Sequence, residues 1–90
     1  ERVHTLFFDL NDHTTICHAV ELLKGQVPFL NGLVNNAAEV VVGGIQSDFG
    51  DWTRSLSSNV ASYALFIREC LPLLESAPHA SIVNVASVSA

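Results

Sequence analysis

Apolar residues fall along this chain in two rhythms, nearly continuous short runs and longer stretches spaced every three or four positions. Val3 to Leu10 is β-branched, aromatic and almost unbroken in its apolar character, and it closes on Asp9-Leu10. That pattern predicts a strand buried on both faces with a polar residue at its C-terminal end. Asp12 is a helix N-cap type, and Ile16, Ala19, Val20 and Leu23 follow at helical spacing before Gly25. A helix over 13–24 with a glycine stop is expected. Leu30 to Val34 leads into Asn35-Asn36-Ala37-Ala38 and predicts a second strand over 31–35. Residues 39–47, with Gly43 and Gly44, read as a loop holding at most one helical turn. Trp52, Leu56, Val60, Tyr63, Ile67, Cys70 and Leu74 then form one long stripe. It predicts a helix over 48–76, capped by Ser47 or Asp48 and bent near its end by Pro72. Ser81 to Ala86 reads as a third buried strand, followed at once by Ser87.

The order is strand, helix, strand, helix, strand. Unbroken apolar strands alternating with helices predict an α/β fold, here a partial, Rossmann-like, doubly wound parallel sheet. Residues 1–90 read as the central part of one such domain, truncated at both ends. Sheets of this class place their working residues at the C-terminal ends of strands. Asp9, Asn35 and Ser87 all fall there.

Composition sharpens this picture. Of the 90 residues, 49% are hydrophobic and only 14% charged, low against about a quarter in typical domains. That is the composition of an interior, as though sliced from a larger body. The net charge is −5, and the four basic residues Arg2, Lys24, Arg54 and Arg68 are scattered. No basic patch is available to a nucleic acid or an anionic membrane surface. No apolar run reaches the roughly 20 residues of a membrane span, and no leader opens the chain. A cytoplasmic location is the expectation. His13, Cys17 and His18 match no zinc spacing, so no metal is expected. Cys17 and Cys70 read as free thiols in apolar stretches.

The motifs now become specific. Leu33-Val34-Asn35-Asn36-Ala37-Ala38 resembles the Leu-Val-Asn-Asn-Ala-Gly segment of the short-chain dehydrogenases/reductases. Asp9-Leu10 resembles their adenine-contacting aspartate. Trp52 with Asn59-Val60 resembles their Trp…Asn-Val helix, and Ser81 to Ser87 resembles the strand that ends in their catalytic serine. The intervals fit the family too: 26 residues from Asp9 to Asn35, 24 on to Asn59 and 28 on to Ser87. The resemblance implies an NAD- or NADP-dependent hydride transfer between the cofactor and a small carbonyl or alcohol substrate. It implies a cofactor surface built from Asp9, Leu10, Asn35, Asn36, Ala37 and Ala38, with Asn36 bracing neighbouring strands. It implies that Asn59 holds a water in a proton relay, and that Ser87 hydrogen-bonds the substrate carbonyl. Homodimers or homotetramers are usual for parents of this type, and the long helix commonly lies at their interfaces.

Each residue also has a plainer reading: a turn aspartate, a turn asparagine, a core asparagine satisfied by backbone, a strand-end serine. Ser89 is a nearby alternative to Ser87 that fits the strand less well. Ala38 stands where the family has glycine, at a cost of order 1 kcal/mol if that position requires positive φ. Two family pieces are not found in these residues. There is no glycine-rich turn ahead of Asp9 to cradle a pyrophosphate. There is no Tyr-x-x-x-Lys pair, because the one tyrosine, Tyr63, is followed four residues on by Ile67, and the one lysine is Lys24. These 90 residues alone are therefore expected to be inactive and poorly stable. A non-catalytic, truncated relative that binds a nucleotide or a partner is the alternative reading. An unrelated α/β nucleotide-binding module is a third, against which the four motifs in register argue. A Gly-x-Ser-x-Gly elbow is absent around Ser87, so a hydrolase is not indicated.

Overall fold

A computed structural model describes residues 3–37 and 44–85. Its elements are α1 (His13–Lys24), β1 (Gly32–Asn35), α2 (Phe49–Leu56), α3 (Ser62–Glu75) and β2 (Ser81–Asn84). A short 3₁₀ turn, Gly44–Gln46, precedes α2, and a π-helical turn, Ser57–Ala61, joins α2 to α3. The expected helix over 48–76 is thus a continuous helical run over 49–75, interrupted by one wider turn at its centre.

The local chemistry explains where these elements start and stop. The Asp12 carboxylate accepts from the Thr14 amide at 3.1 Å and from the Thr14 hydroxyl at 2.7 Å, capping α1. Asp48, rather than Ser47, caps α2, accepting from the Asp51 amide at 2.8 Å. At the far end of α3 the Ser76 hydroxyl donates to the Pro72 carbonyl at 2.8 Å. Gly25 closes α1 as expected, but in a right-handed conformation with φ −79°. A Cβ there would stand 3.5 Å from the Leu22 carbonyl oxygen, so no left-handed turn requires the glycine.

β1 and β2 lie parallel, with Gly32 opposite Ser81 and Asn35 opposite Asn84. Two parallel strands need a long crossover connection, and the helical run between them supplies it. Asn31 sets the start of the register: its carbonyl accepts from the Ser81 amide at 3.0 Å and its side chain donates to the His79 carbonyl at 3.2 Å. At the other end the Val85 amide donates to the Asn35 carbonyl at 2.9 Å. The buried strand expected over 81–86 is paired over Ser81–Asn84 but is exposed along its length, since among the described residues only β1 pairs with it, and Ala86 lies outside the described residues.

The core forms where α1 meets α3. Ile16, Ala19 and Val20 from α1 and Cys70, Leu73 and Leu74 from α3 are buried. Leu30, Leu33 and Phe66 close over Val20, Cys70 and Leu74. The Leu30 amide donates to the Leu73 carbonyl at 3.0 Å and ties the entry to β1 onto α3.

The strand expected over 3–10 requires a correction. Among the described residues the sheet has two strands, and residues 3–9 form no ladder with them. Leu6 and Phe8 instead face Leu30, Leu33 and Val34 across an apolar gap of about 200 Å³. Sheet hydrogen bonds need strands about 4.8 Å apart, and among the described residues no such ladder joins residues 3–9 to β1 or β2. Phe8 anchors the segment by an edge-on contact with Phe66, ring centroids 4.9 Å apart. Phe7 is 87% exposed. The burial on both faces that the apolar run predicts is not reached in this chain.

The long helix is similarly uneven. Its C-terminal half supplies the core, whereas Trp52, Leu56 and Val60 on its N-terminal half are exposed.

Candidate functional site

The C-terminal ends of β1 and β2 lie side by side, and most of the predicted site residues gather around them. Asn35 is the last residue of β1 and is only 5% exposed. Its amide nitrogen donates to the side-chain oxygen of Asn84, its register partner on β2, at 2.9 Å. The side chain thus locks the two strands at the edge where the chain turns away. This is the bracing role expected of Asn36, and it falls to Asn35. Strand alternation explains the exchange: Asn35 points into the structure, and Asn36, one residue on, is exposed.

Asn35, Asn36 and Ala37 line a cleft of about 210 Å³ together with Phe8, Leu10, Leu33 and Tyr63. Leu10 therefore lines the same cleft as Asn35, Asn36 and Ala37, although residues 3–9 are not a paired strand. Asp9 lies at the edge of this group and is exposed. Its carboxylate accepts from the Asn11 amide at 2.9 Å and its carbonyl from the Asp12 amide at 3.0 Å, so it also forms the turn into α1. The plain reading of a turn aspartate is thereby realised. Ala38 lies outside the described residues, as does Ser87.

Asn59 sits within the π-helical turn Ser57–Ala61. Such turns widen a helix by one residue and often mark functional positions. Its amide nitrogen donates to the Ser55 hydroxyl at 3.2 Å. Asn59, Val60, Tyr63 and Ile67 face Asn84 and Val85 across a second cleft of about 380 Å³. The structure therefore brings Asn59 to the end of β2, three residues before Ser87 in sequence.

Two buried hydroxyls were not singled out by the sequence pattern. Ser58 and Ser62 are fully or nearly buried, and each bonds back to a carbonyl four residues earlier, Ser58 to Arg54 at 2.8 Å and Ser62 to Ser58. Their four-residue spacing inside an apolar stripe is the signal that could have found them. Back-bonding of this kind loosens a helix's own ladder, which fits the wider turn between them.

Electrostatics at the site are mild. Among the described residues no group of three or more His, Cys, Asp or Glu could hold a metal, and no helix is long and apolar enough to cross a membrane. The thiols of Cys17 and Cys70 are both raised by burial, Cys17 also by Glu69 beside it. The Asp12 carboxyl is lowered, first by the Thr14 hydroxyl and then by the Thr14 amide.

The family model described as short chain dehydrogenase matches residues 1–90. No curated protein matches the chain in sequence. Among solved structures, ligand-free aldohexose dehydrogenase (AldT) of Thermoplasma acidophilum superposes with a TM-score of 0.87 at 22% identity, over 98% of this chain and 35% of that one. The Pseudomonas aeruginosa RhlG/NADP active-site complex gives 0.79 at 29% identity, over 89% of this chain and 33% of that one. The short chain dehydrogenase of Shigella flexneri gives 0.77 at 21% identity, over 89% and 33%. The chain thus spans about one third of the length of these structures.

Proposed function

This chain belongs to the short-chain dehydrogenase family, whose model covers residues 1–90, and on that premise we propose that it is the central part of a nicotinamide-dependent oxidoreductase. The protein reduces a small carbonyl compound or oxidises the corresponding alcohol, with NAD or NADP. It acts in the cytoplasm as a homodimer or homotetramer.

The observation that carries this reading is the convergence at one sheet edge. The cleft beside Leu10 and Asn35–Ala37 and the cleft beside Asn59 and Asn84 open on the two sides of Tyr63. Ligand sites in open α/β sheets form outside the carboxyl ends of the strands, which is where both clefts lie.

The residues present fit one part of a dinucleotide. At about 210 Å³ the first cleft is below the range of a whole cofactor pocket, about 300–1,000 Å³. Its wall of Phe8, Leu10 and Leu33 suits the flat face of a base, and Asp9 beside it offers an acceptor to an exocyclic amine. Asn35, Asn36, Ala37 and Ala38 would flank the ribose side, with small side chains permitting close backbone approach. Gly43 and Gly44 follow the Asn35–Ala38 segment and do not reproduce a glycine-rich pyrophosphate turn. When bound, the nicotinamide dinucleotide supplies or accepts the hydride.

In the full-length protein this chain's residues would position the substrate oxygen and a relay water, while the proton would come from the Tyr-x-x-x-Lys pair that the family resemblance implies and that these residues do not contain. Ser87 donates its hydroxyl to the substrate oxygen as negative charge develops there, and acts as no nucleophile. Asn59 holds a water that passes the proton onward. The NADP in the Pseudomonas aeruginosa complex supports the cofactor class. The isolated residues 1–90 do not turn over, since neither Tyr63 nor Lys24 can form the Tyr-x-x-x-Lys pair.

The test is turnover by the full-length protein that carries this chain, with NADH and NADPH against a panel of aldehydes and ketones. Saturable cofactor consumption dependent on the carbonyl compound is expected, and none from residues 1–90 alone. A folded full-length protein that consumes neither cofactor with any member of the panel would sink the reading.

A further inference from the structure

Tyr63 belongs to none of the roles above, yet it occupies the partition between the two clefts and lines both. It stands at the start of α3, four residues after Asn59 and so one helical turn along from it. Its hydroxyl donates to the carbonyl of Ala37 at 2.8 Å, a contact across 26 residues of sequence. A phenol at the rim of a cleft can take its hydrogen bond from water. This one reaches a main-chain acceptor on the turn that follows β1. The Ala37 side chain offers no polar handle, so a bond to its backbone is an effective way to hold this segment.

We propose that Tyr63 is a positioning residue, whose hydroxyl clamps the backbone of the Asn36–Ala37 turn to the helix that carries Asn59. The clamp fixes the spacing between the cofactor side of the site and the proton side. It acts through the turn and touches no reacting atom. The proposal rests on the oxidoreductase reading above.

Tyr63→Phe removes the hydroxyl and keeps the ring that separates the clefts. In the full-length protein, the KM for the nicotinamide cofactor should rise about fivefold, the ~1 kcal/mol of one neutral hydrogen bond at 1.4 kcal/mol per tenfold. The kcat at saturating cofactor should stay within about twofold, because the clamp serves binding geometry rather than a bond made only in the transition state. In the cofactor-free protein, amide hydrogen exchange should quicken in the peptide spanning the Asn36–Ala37 turn while the core of α1 and α3 is unchanged. A purely structural tyrosine would instead lower the melting temperature and leave the KM unmoved. A KM unchanged in Tyr63→Phe overturns the clamp, whatever the exchange shows. A wild-type protein that binds neither cofactor saturably overturns the oxidoreductase reading and the clamp with it, whereas normal wild-type saturation with an unaltered variant overturns the clamp alone.

Discussion

Consider the bond between Asn35 and Asn84, replaced first on one side and then on both. Asn35 is 5% exposed and donates to the Asn84 side-chain oxygen at 2.9 Å. Asn84 itself sits on an exposed strand end. Asn84→Ala leaves the buried Asn35 amide without this acceptor, a loss of about 1–3 kcal/mol for an unsatisfied buried group. The adjoining cleft admits water to Asn35, which places the expected loss near ~1–2 kcal/mol, at the lower end of that range. Asn35→Ala removes the donor and its need together, while the stranded Asn84 oxygen turns to solvent, so about 1 kcal/mol is expected. The two losses share one bond, so the double variant should be more stable than additivity predicts by about 0.5–1.5 kcal/mol. Asn84→Asp keeps an acceptor oxygen and should lose less than Asn84→Ala. Urea denaturation of the full-length protein, followed by circular dichroism, measures all four, and equal m-values would show that only stability changed. Losses that add to within about 0.3 kcal/mol would mean that the contact contributes nothing to joining the strands, and the account of the sheet edge would be wrong.

The other predictions are shorter. In the full-length protein, Ser87→Ala should lower kcat by about 10²–10³-fold, the usual effect of losing one donor to a developing oxyanion. Asn59→Ala should lower kcat with the cofactor KM little changed, and steady-state kinetics that show the reverse split would remove Asn59 from the relay. The Asp12 carboxyl is held below its ordinary value by Thr14. A depressed carboxyl stabilises the fold above its unfolded pKa, and that contribution is lost as the pH falls through the still lower folded pKa. Helicity followed by circular dichroism should therefore hold on acidification to pH ~4 and decline below it, with a smaller acid-dependent loss in Asp12→Ala. Both thiols are raised, by burial first, and so remain protonated near neutrality. Alkylation should be slow at Cys70 until the protein unfolds, and rapid labelling of native Cys70 would contradict its place in the core.

The residues of this chain announce most of the architecture. Asp12 and Asp48 mark helix starts by their capping chemistry, and the spacing of Ile16, Ala19 and Val20 identifies the buried face of α1. The short apolar runs before Asn35 and at Ser81–Asn84 identify β1 and β2 as strands, although their burial is not reached: β2 is exposed along its length and β1 is buried only at Asn35. Of the three strand-end residues read from the sequence, Asn35 alone ends a paired strand among the described residues; Asp9 lies in an unpaired segment and Ser87 outside the described residues. Asn36, Ala37 and Leu10 line one cleft beside Asn35, and Asn59 faces the end of β2 across another.

What the pattern by itself determines is local: the caps, the helical stripe, the apolar runs and the motif intervals, each set by neighbours in sequence. Only the tertiary structure decides which long-range partners exist. Residues 3–9 are strand-like in composition, yet a strand is made by hydrogen bonds to another strand, and among the described residues this segment makes no ladder with β1 or β2. The division of labour between Asn35 and Asn36 depends on which of two adjacent side chains points inward, and that follows from the register with Asn84. The bond from Tyr63 to Ala37 has no sequence signal, because its acceptor is a main-chain carbonyl and every residue carries one.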